Sequence, residues 1–195
     1  MHEYWNHNTA YHDWILSRVA SDDVVLDVGC GDGLLLTRLA AVAGEAVGCD
    51  PSTARIAETN TSGLTNVSVV NAEFGLVELA DESFDAITFV ASLHHMDCET
   101  ALRKARRLLR PGGRLLVVGL VRNQTAVDWT LAGLSVVPVR IASFAHREVP
   151  EPGSPITAPK DSLARVRAIA DSVLPGASIR RAFYYRYLLE WEKPR

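Results

Sequence analysis

The sequence predicts a single α/β domain built on a doubly wound, mostly parallel β-sheet. Two observations support this fold class. Over the first two thirds of the chain, short β-branched runs alternate with helical stretches at intervals of about 30 residues, the size of a βαβ unit. Those runs are apolar on both faces, as expected of buried parallel strands. At 195 residues, the chain suits one domain spanning 1–195.

The first half of the predicted sheet comes from three β-branched runs, two of which are followed by helical segments. Turn residues separate the segments, and each helical segment is long enough to return the chain to the start of the next strand. The predicted order is strand Val24–Val28, helix Leu34–Ala43, strand Ala46–Cys49, helix Ser52–Thr61 and strand Val67–Asn71.

The second half of the parallel sheet is predicted as a strand, an amphipathic helix and a further strand. The strand Phe84–Ala91 precedes a helix over Glu99–Leu109, whose apolar residues share one face while its basic residues occupy the other. Pro111-Gly112-Gly113 should end that helix, and Arg114–Leu120 should form the next strand.

From Val121 onward the pattern changes, and residues 121–159 read as an insertion without a clean apolar period. Its last part, Glu148–Pro159, is rich in proline. Asp161-Ser162 can then cap a helix that runs to Leu174. Two runs separated by very few residues follow and predict a C-terminal antiparallel pair, Ser178–Phe183 and Tyr185–Trp191.

Composition excludes several classes of function. The formal net charge of −3 gives no basic surface for nucleic acid. The N-terminus does not read as a signal peptide, and no apolar run is long enough for a membrane span, so we expect a cytoplasmic protein. The three cysteines form neither a CxxC pair nor an even framework, so we expect free thiols and no metal site. Nothing in the sequence predicts the oligomeric state.

A glycine-rich loop directly follows the first strand, at the position where sheet-and-helix folds open a ligand crevice. In this loop, Asp27–Gly33, the glycines at 29, 31 and 33 allow the backbone to turn sharply and approach a ligand. Leu34 stands where a dinucleotide-binding GxGxxG pattern requires glycine, which disfavours NAD. The acidic Asp27 suits the loop amides and the cationic amine of a zwitterionic ligand better than a pyrophosphate.

Two further strand ends carry side chains suited to a nucleoside. Asp50 ends the second strand, about 20 residues after the glycine loop, where a carboxylate accepts both ribose hydroxyls. At the end of the third strand, the backbone amide and side-chain acceptors of Asn71-Ala72-Glu73 can meet the edge of an adenine. Three consecutive strand ends then line one nucleoside.

Five segments, VLDVGCGDG, GCDPS, NAE, SFDAITFVASLHHMD and LLRPGGRLLVV, occur in this order between Val24 and Leu120. With this spacing the chain resembles the class I S-adenosylmethionine-dependent methyltransferases. The resemblance implies a Rossmann-like sheet of seven strands and S-adenosyl-L-methionine as cofactor. It implies these contacts: Asp27, Gly29, Cys30 and Gly31 at the methionine end, Asp50 and Pro51 at the ribose, Ala72 and Glu73 at the adenine, and Ala91 beside the sulfonium.

Candidate catalytic and acceptor-binding residues lie after the fourth strand and in the less patterned segments. His95 is the candidate general base, since an unperturbed imidazole has a pKa near 6.5, and the adjacent His94 is a candidate substrate contact. Residues 1–20 are expected to form a helical lid, and residues 121–159 are expected to cover the acceptor. Within these segments we expect Tyr11 to contact the cofactor and four residues to contact the substrate: His12, Trp129, Leu134 and Phe144.

The leading hypothesis is methyl transfer to an O, N or C nucleophile of a small, fairly apolar metabolite, with positioning as the main catalytic effect. Two alternatives remain open at this stage. One is a protein that holds S-adenosylmethionine without transferring its methyl group, and the other is an NAD-dependent oxidoreductase. Titration with both cofactors separates these alternatives, but the identity of the acceptor cannot be predicted from the fold.

Overall fold

The structure is a computed structural model that describes residues 4–51, 63–122, 124, 126–149 and 157–195. Within these ranges the strands are β1 (Val24–Val28), β2 (Glu45–Cys49), β3 (Val67–Val70), β4 (Phe84–Val90), β5 (Leu109–Leu120), β6 (Ser178–Ala182) and β7 (Arg186–Glu192). They form one seven-stranded sheet of order β3-β2-β1-β4-β5-β7-β6. Strands β1 to β5 pair in parallel, whereas β7 is antiparallel to both β5 and β6. The predicted fold class is confirmed.

Helices cover both faces of this sheet. In the described residues they are α1 (His12–Leu16), α2 (Leu34–Ala40), α3 (Cys98–Leu108), α4 (Ala126–Ala145) and α5 (Leu163–Val173). Helices α1 and α2 pack on one face with the core around Val25, and α3 and α5 pack on the other with the core around Leu26. Alternate residues of β1 thus serve opposite cores. The helix predicted over 52–61 lies outside the described residues.

Two local predictions near the C-terminus are confirmed. Ser162 caps α5, since its hydroxyl accepts the Arg165 N–H at 3.2 Å. The short link between β6 and β7 is a tight hairpin whose central residues, Tyr184 and Tyr185, both have φ of 58°. This left-handed pair matches a type I′ turn, a geometry that normally selects asparagine and glycine.

Two predictions about element boundaries are wrong. Pro111-Gly112-Gly113 does not separate a helix from a strand, because α3 ends at Leu108 and β5 begins at Leu109. The Gly112 N–H donates to the Lys193 carbonyl at 2.7 Å, and Gly112 has φ of 82°, so the segment forms an irregularity within β5, where the register against β4 shifts. Residues 126–145, for which no helix was predicted, form α4 with Pro138 inside it. The apolar residues of this helix are spread around its circumference, so the sequence shows no amphipathic period.

The α4 segment is also the most apolar stretch of the sequence. Even so, no helix in the described part of the chain is both long and apolar enough to cross a membrane.

Candidate active site

Four strand ends meet at one edge of the sheet because the parallel strands are in close register. Val28 lies opposite Cys49 in β2 and Phe89 in β4, and Cys49 lies opposite Val70 in β3. The residues that follow these strands therefore come together, as expected of the ligand crevice of an open α/β sheet. The glycine loop, Asp50, Ala72 and Ala91 all lie along this edge.

The glycine loop has a backbone that only glycine adopts without strain. Gly29, Gly31 and Gly33 have φ of 75°, 55° and 81°, in the left-handed region. A Cβ on Gly29 would lie 2.4 Å from the Cβ of Ser92, which follows β4. The loop thus packs directly against the neighbouring strand end.

Two buried carboxylates stand on either side of this loop. Asp50 is 5% exposed, and its Oδ2 accepts the Gly31 N–H at 3.1 Å. Asp27 is 2% exposed and accepts the Thr88 hydroxyl at 2.7 Å. The sequence placed the ordering of the loop amides on Asp27, but the structure assigns the Gly31 bond to Asp50. Two carboxylates in this position give this edge of the sheet a negative electrostatic potential, which suits a ligand with a cationic amine or sulfonium.

A cleft of about 470 Å³ opens beside Asp50, within the usual size range of small-molecule sites. Its wall after β3 is held by Lys104, whose ammonium donates to the carbonyls of Phe74 and Val77 at 2.5 and 2.6 Å. Pro51, Glu73 and His95 line the same cleft. Pro51, expected at the ribose, and Glu73, expected at the adenine, therefore face one space.

The N-terminal segment, residues 4–16, covers the side of the glycine loop that faces away from the cleft. The Tyr4 hydroxyl donates to Asp32 in that loop at 2.7 Å. His12 is 4% exposed and shares a cavity of about 40 Å³ with Asp27, Gly29 and Cys30. Its Nδ1 is buried without a hydrogen-bond partner among the described residues. A buried polar atom in that position calls for a polar ligand group, so the site fits an amino-acid moiety.

His12 should also make the stability of the fold depend on pH. Burial lowers its pKa to about 4, with Arg38 adding to the effect and Asp13 opposing it. An unfolded histidine titrates near 6.5, so the unfolded state binds more protons between about pH 6.5 and pH 4. We expect the free energy of unfolding to fall as the pH is lowered through this window, and to fall less steeply in His12→Gln. Urea titrations at several pH values measure both slopes, and equal slopes would contradict the assignment.

The side chain of the neighbouring Tyr11 points toward the β6–β7 hairpin and not toward the glycine loop. Its hydroxyl donates to the Phe183 carbonyl at the β6–β7 hairpin, at 2.6 Å. Burial raises its pKa to about 12, so the hydroxyl stays protonated. Of the two residues predicted in this segment, His12 lies beside the glycine loop and Tyr11 lies beside the hairpin.

The residues after β4 carry backbone strain and two imidazole rings that contact each other at an angle of 39°. Ala91 has φ of 51°, unusual for a residue with a side chain, and its N–H donates to Val118 at 2.8 Å. His94 and His95 lie in a 3₁₀ turn with ring centroids 4.0 Å apart. His95 is exposed. Burial, then the adjacent His95, lower the pKa of His94 to about 4, so its imidazole is neutral near pH 7.

The residues predicted to cover the acceptor lie in α4. Leu134 is 71% exposed and Phe144 is 88% exposed. The Trp129 side chain lies outside the described part of the structure. Nearer the site, the end of this helix meets the N-terminal segment, where Trp5 stacks on His146 with ring centroids 4.5 Å apart.

Sequence reasoning missed several residues that build this edge. Ser92 donates to the Val28 carbonyl at 2.5 Å and so ties β4 to β1. Tyr4 and Thr88 also contact residues of the site, and Arg186 at the start of β7 donates to Asn8 in the N-terminal segment. A polar residue directly after a buried strand is a usable signal for Ser92, whereas Arg186 looks like any charged residue in a strand.

The fold, with its glycine-rich loop after β1, defines a Rossmann-like protein of the class I methyltransferase type. A protein-family profile described as a methyltransferase domain matches residues 26–117. An uncharacterized methyltransferase of Mycobacterium tuberculosis is 35% identical over the full length of both chains. The chain belongs to the methyltransferase family, and S-adenosyl-L-methionine is its cofactor.

Two further likenesses agree with this membership. The chain is 29% identical to a ubiquinone biosynthesis O-methyltransferase of Pseudomonas fluorescens, over 74% of this chain and 69% of that protein. In fold, it is similar to an S-adenosylmethionine-dependent methyltransferase of Aquifex aeolicus, with a TM-score of 0.63 at 18% identity over 93% of this chain and 88% of that one.

Proposed function

We propose that this methyltransferase acts on a small, fairly apolar metabolite and that, among oxygen, nitrogen and carbon nucleophiles, the acceptor atom is an oxygen. The observation that carries this proposal is the similarity to ubiquinone biosynthesis O-methyltransferases, one of which is 29% identical over 74% of the chain. The chain's own charge agrees with it, because a net charge of −3 offers no general attraction for nucleic acid.

We assign the cofactor contacts from the positions of the strand ends. His12, which the sequence predicted as a substrate contact, takes the place of Tyr11 among the cofactor contacts because its unpartnered Nδ1 lies in the cavity lined by Asp27 and Gly29. Residues 4–16 act as a lid over the loop. The proposed contacts are Asp27, Gly29, Cys30, Gly31 and His12 at the methionine end, Asp50 and Pro51 at the ribose, Ala72 and Glu73 at the adenine, and Ala91 beside the sulfonium.

S-Adenosylmethionine supplies an electrophilic methyl group on a positively charged sulfur. Transfer of this methyl group to an acceptor oxygen would leave the electron pair of the broken carbon–sulfur bond on sulfur. The protein holds the two reactants in line, and such positioning can supply a large part of the rate acceleration. A neutral hydroxyl acceptor also loses its proton, to a nearby base or to water.

His95 is the residue proposed for that proton transfer or for a contact with the cofactor. It lines the cleft beside Glu73 and Pro51 and is exposed. A general base contributes about 100-fold or more to the rate. We therefore expect His95→Gln to lower kcat by about 100-fold. Steady-state methylation kinetics measure this, and a loss of less than tenfold would show that His95 is not the base.

Mass spectrometry tests the proposed function directly. The purified protein is incubated with S-adenosylmethionine and a panel of metabolites that carry hydroxyl, carboxyl, amine or activated carbon groups. We expect S-adenosylhomocysteine to form together with a gain of one methyl mass on an oxygen of a small acceptor. Methyl transfer to protein or nucleic acid alone, or to nitrogen or carbon alone, would overturn the proposal.

A further inference from the structure

The turn after β3, residues 73–77, forms one wall of the cleft and is closed at its start by backbone hydrogen bonds. The carbonyl of Glu73 accepts the N–H groups of Leu76 and Val77, at 2.9 and 3.0 Å. As at the end of a helix, the later carbonyls of a single turn have no partner inside the turn itself. They need donors from another part of the protein.

Lys104, on α3, supplies these donors. Its ammonium donates to the carbonyls of Phe74, Gly75 and Val77 at 2.5, 3.3 and 2.6 Å. An ammonium carries three N–H groups and no acceptor, so these three bonds use its whole donor capacity. Lys104 is half-buried and lines the cleft. Because its donors are engaged, it acts on a ligand in the cleft through the turn and not by a hydrogen bond of its own.

Phe74 fixes the same turn from the side of the core. It is 2% exposed, and its ring meets the ring of Phe89 edge to face with centroids 5.6 Å apart. The Lys104 ammonium lies 5.0 Å from the centroid of the Phe74 ring, within the range of a cation–π interaction. Core packing and the ammonium thus hold the turn from two sides, with Glu73 at its start.

The neighbouring residue proposed at the adenine, Ala72, is held by different groups. Its N–H donates to the Val70 carbonyl at 3.0 Å, and its carbonyl accepts the Cys49 thiol at 3.1 Å. Neither of these bonds involves α3. Loss of the Lys104 ammonium should therefore release Glu73 while Ala72 stays in place.

We propose that Lys104 is a positioning residue that gives the cofactor site its preference for adenine, because it holds Glu73 at the edge of the base. This inference rests on the proposed function, which supplies the adenine contact of Glu73. The Glu73 carboxylate is exposed in the same cleft and can accept a hydrogen bond from the 6-amino group of adenine. Hypoxanthine has an oxygen at that position, so two acceptors would face each other. A fixed acceptor discriminates between these bases better than a mobile one, because the mobile one can turn away.

Two matched nucleosides test this inference. Calorimetry compares S-adenosylhomocysteine with S-inosylhomocysteine, in which hypoxanthine replaces adenine. We expect the wild type to bind the adenosyl compound more tightly by about tenfold or more, and Lys104→Met to reduce this preference to about threefold or less. The matched control is Arg103→Met, which removes a cation from an exposed position of the same helix, where it pairs with Glu99, and should keep the preference.

A double-mutant cycle shows whether Lys104 acts through Glu73. Glu73→Ala should lower the preference for adenine in the wild type and have little further effect in the Lys104→Met background. Lys104→Gln keeps a donor for one carbonyl and should give an intermediate preference, which provides a second test if the methionine variant does not fold. A wild-type preference in either Lys104 variant, or additive effects of the Lys104 and Glu73 substitutions, overturns the inference. A loss of stability alone, which urea unfolding measures, leaves the ratio of the two affinities unchanged.

Failure of this inference differs visibly from failure of the proposed function. If Glu73→Ala loses the preference for adenine but Lys104→Met keeps it, the adenine contact of Glu73 stands and the role of Lys104 falls. If the wild type binds both nucleosides equally, the adenine contact of Glu73 falls and this inference falls with it. The methyl acceptor is identified separately by mass spectrometry, so neither result bears on it.

Discussion

Asp50→Ala is expected to raise the dissociation constant for S-adenosylhomocysteine by about 100-fold. The variant removes the buried acceptor of the Gly31 N–H and the carboxylate proposed to bind the ribose hydroxyls. Hydrogen bonds to a charged group contribute about 1.5 to 3 kcal/mol each, and about 1.4 kcal/mol corresponds to a tenfold change in affinity. Two such bonds account for the expected loss. Isothermal titration calorimetry measures it.

Two variants show whether the effect belongs to the carboxylate at this position. Asp50→Asn keeps an oxygen for the Gly31 N–H but loses the charge, so its affinity should lie between those of the wild type and Asp50→Ala. Asp171→Ala removes an exposed carboxylate from α5 and should bind the cofactor product as the wild type does. Asp50→Ala binding within threefold of the wild type would refute the ribose assignment.

Gly29→Ala should destabilise the fold by about 3 kcal/mol and abolish measurable cofactor binding. The backbone there has φ of 75°, and left-handed alanine costs about 1 to 2 kcal/mol. The new Cβ would also meet the Ser92 Cβ at 2.4 Å, an overpacking that costs about 1 to 3 kcal/mol more. Urea unfolding and calorimetry measure the two losses.

Ser92, the residue that the new alanine side chain would meet, provides a control for this prediction. Ser92→Gly alone loses the bond of Ser92 to the Val28 carbonyl, so it serves as the reference of a double-mutant cycle. With the contacting Cβ gone, Gly29→Ala should cost less stability in the Ser92→Gly background than in the wild type, while the backbone strain remains. Gly133→Ala, in α4, adds a Cβ with nothing within 4 Å and should not destabilise the protein. If Gly29→Ala cost as much in the Ser92→Gly background as in the wild type, the contact with Ser92 would not be the cause.

Much of the fold could be predicted because its strands are buried on both faces. Apolar β-branched runs such as Val24–Val28 and Phe84–Val90 have few other uses in a chain of this size, and turn residues mark where they end. Helix α4 could not be predicted, because it is apolar on most sides and contains Pro138, so neither periodicity nor propensity marks it.

Some residues of the candidate site could likewise be predicted from the sequence, and others could not. The glycine loop and Asp50 directly follow strands, so their meeting at one edge is a consequence of parallel pairing. The choice between Tyr11 and His12 depends on how a short helix is rotated against the loop, which no pattern in so short a segment specifies. Arg186 could not be predicted because its place depends on the antiparallel return of β7 beside β5.

The bond between Asn8 and Arg186 has a consequence for biosynthesis. These residues are 178 positions apart in sequence, and their bond joins the N-terminal segment to the first residue of β7. During translation the strands of the cofactor edge leave the ribosome first, and β7 can insert between β5 and β6 only near the end of synthesis. A nascent chain can therefore pair these strands well before β7 can hold the N-terminal segment in place, and such long-range closure tends to make the final folding step slow.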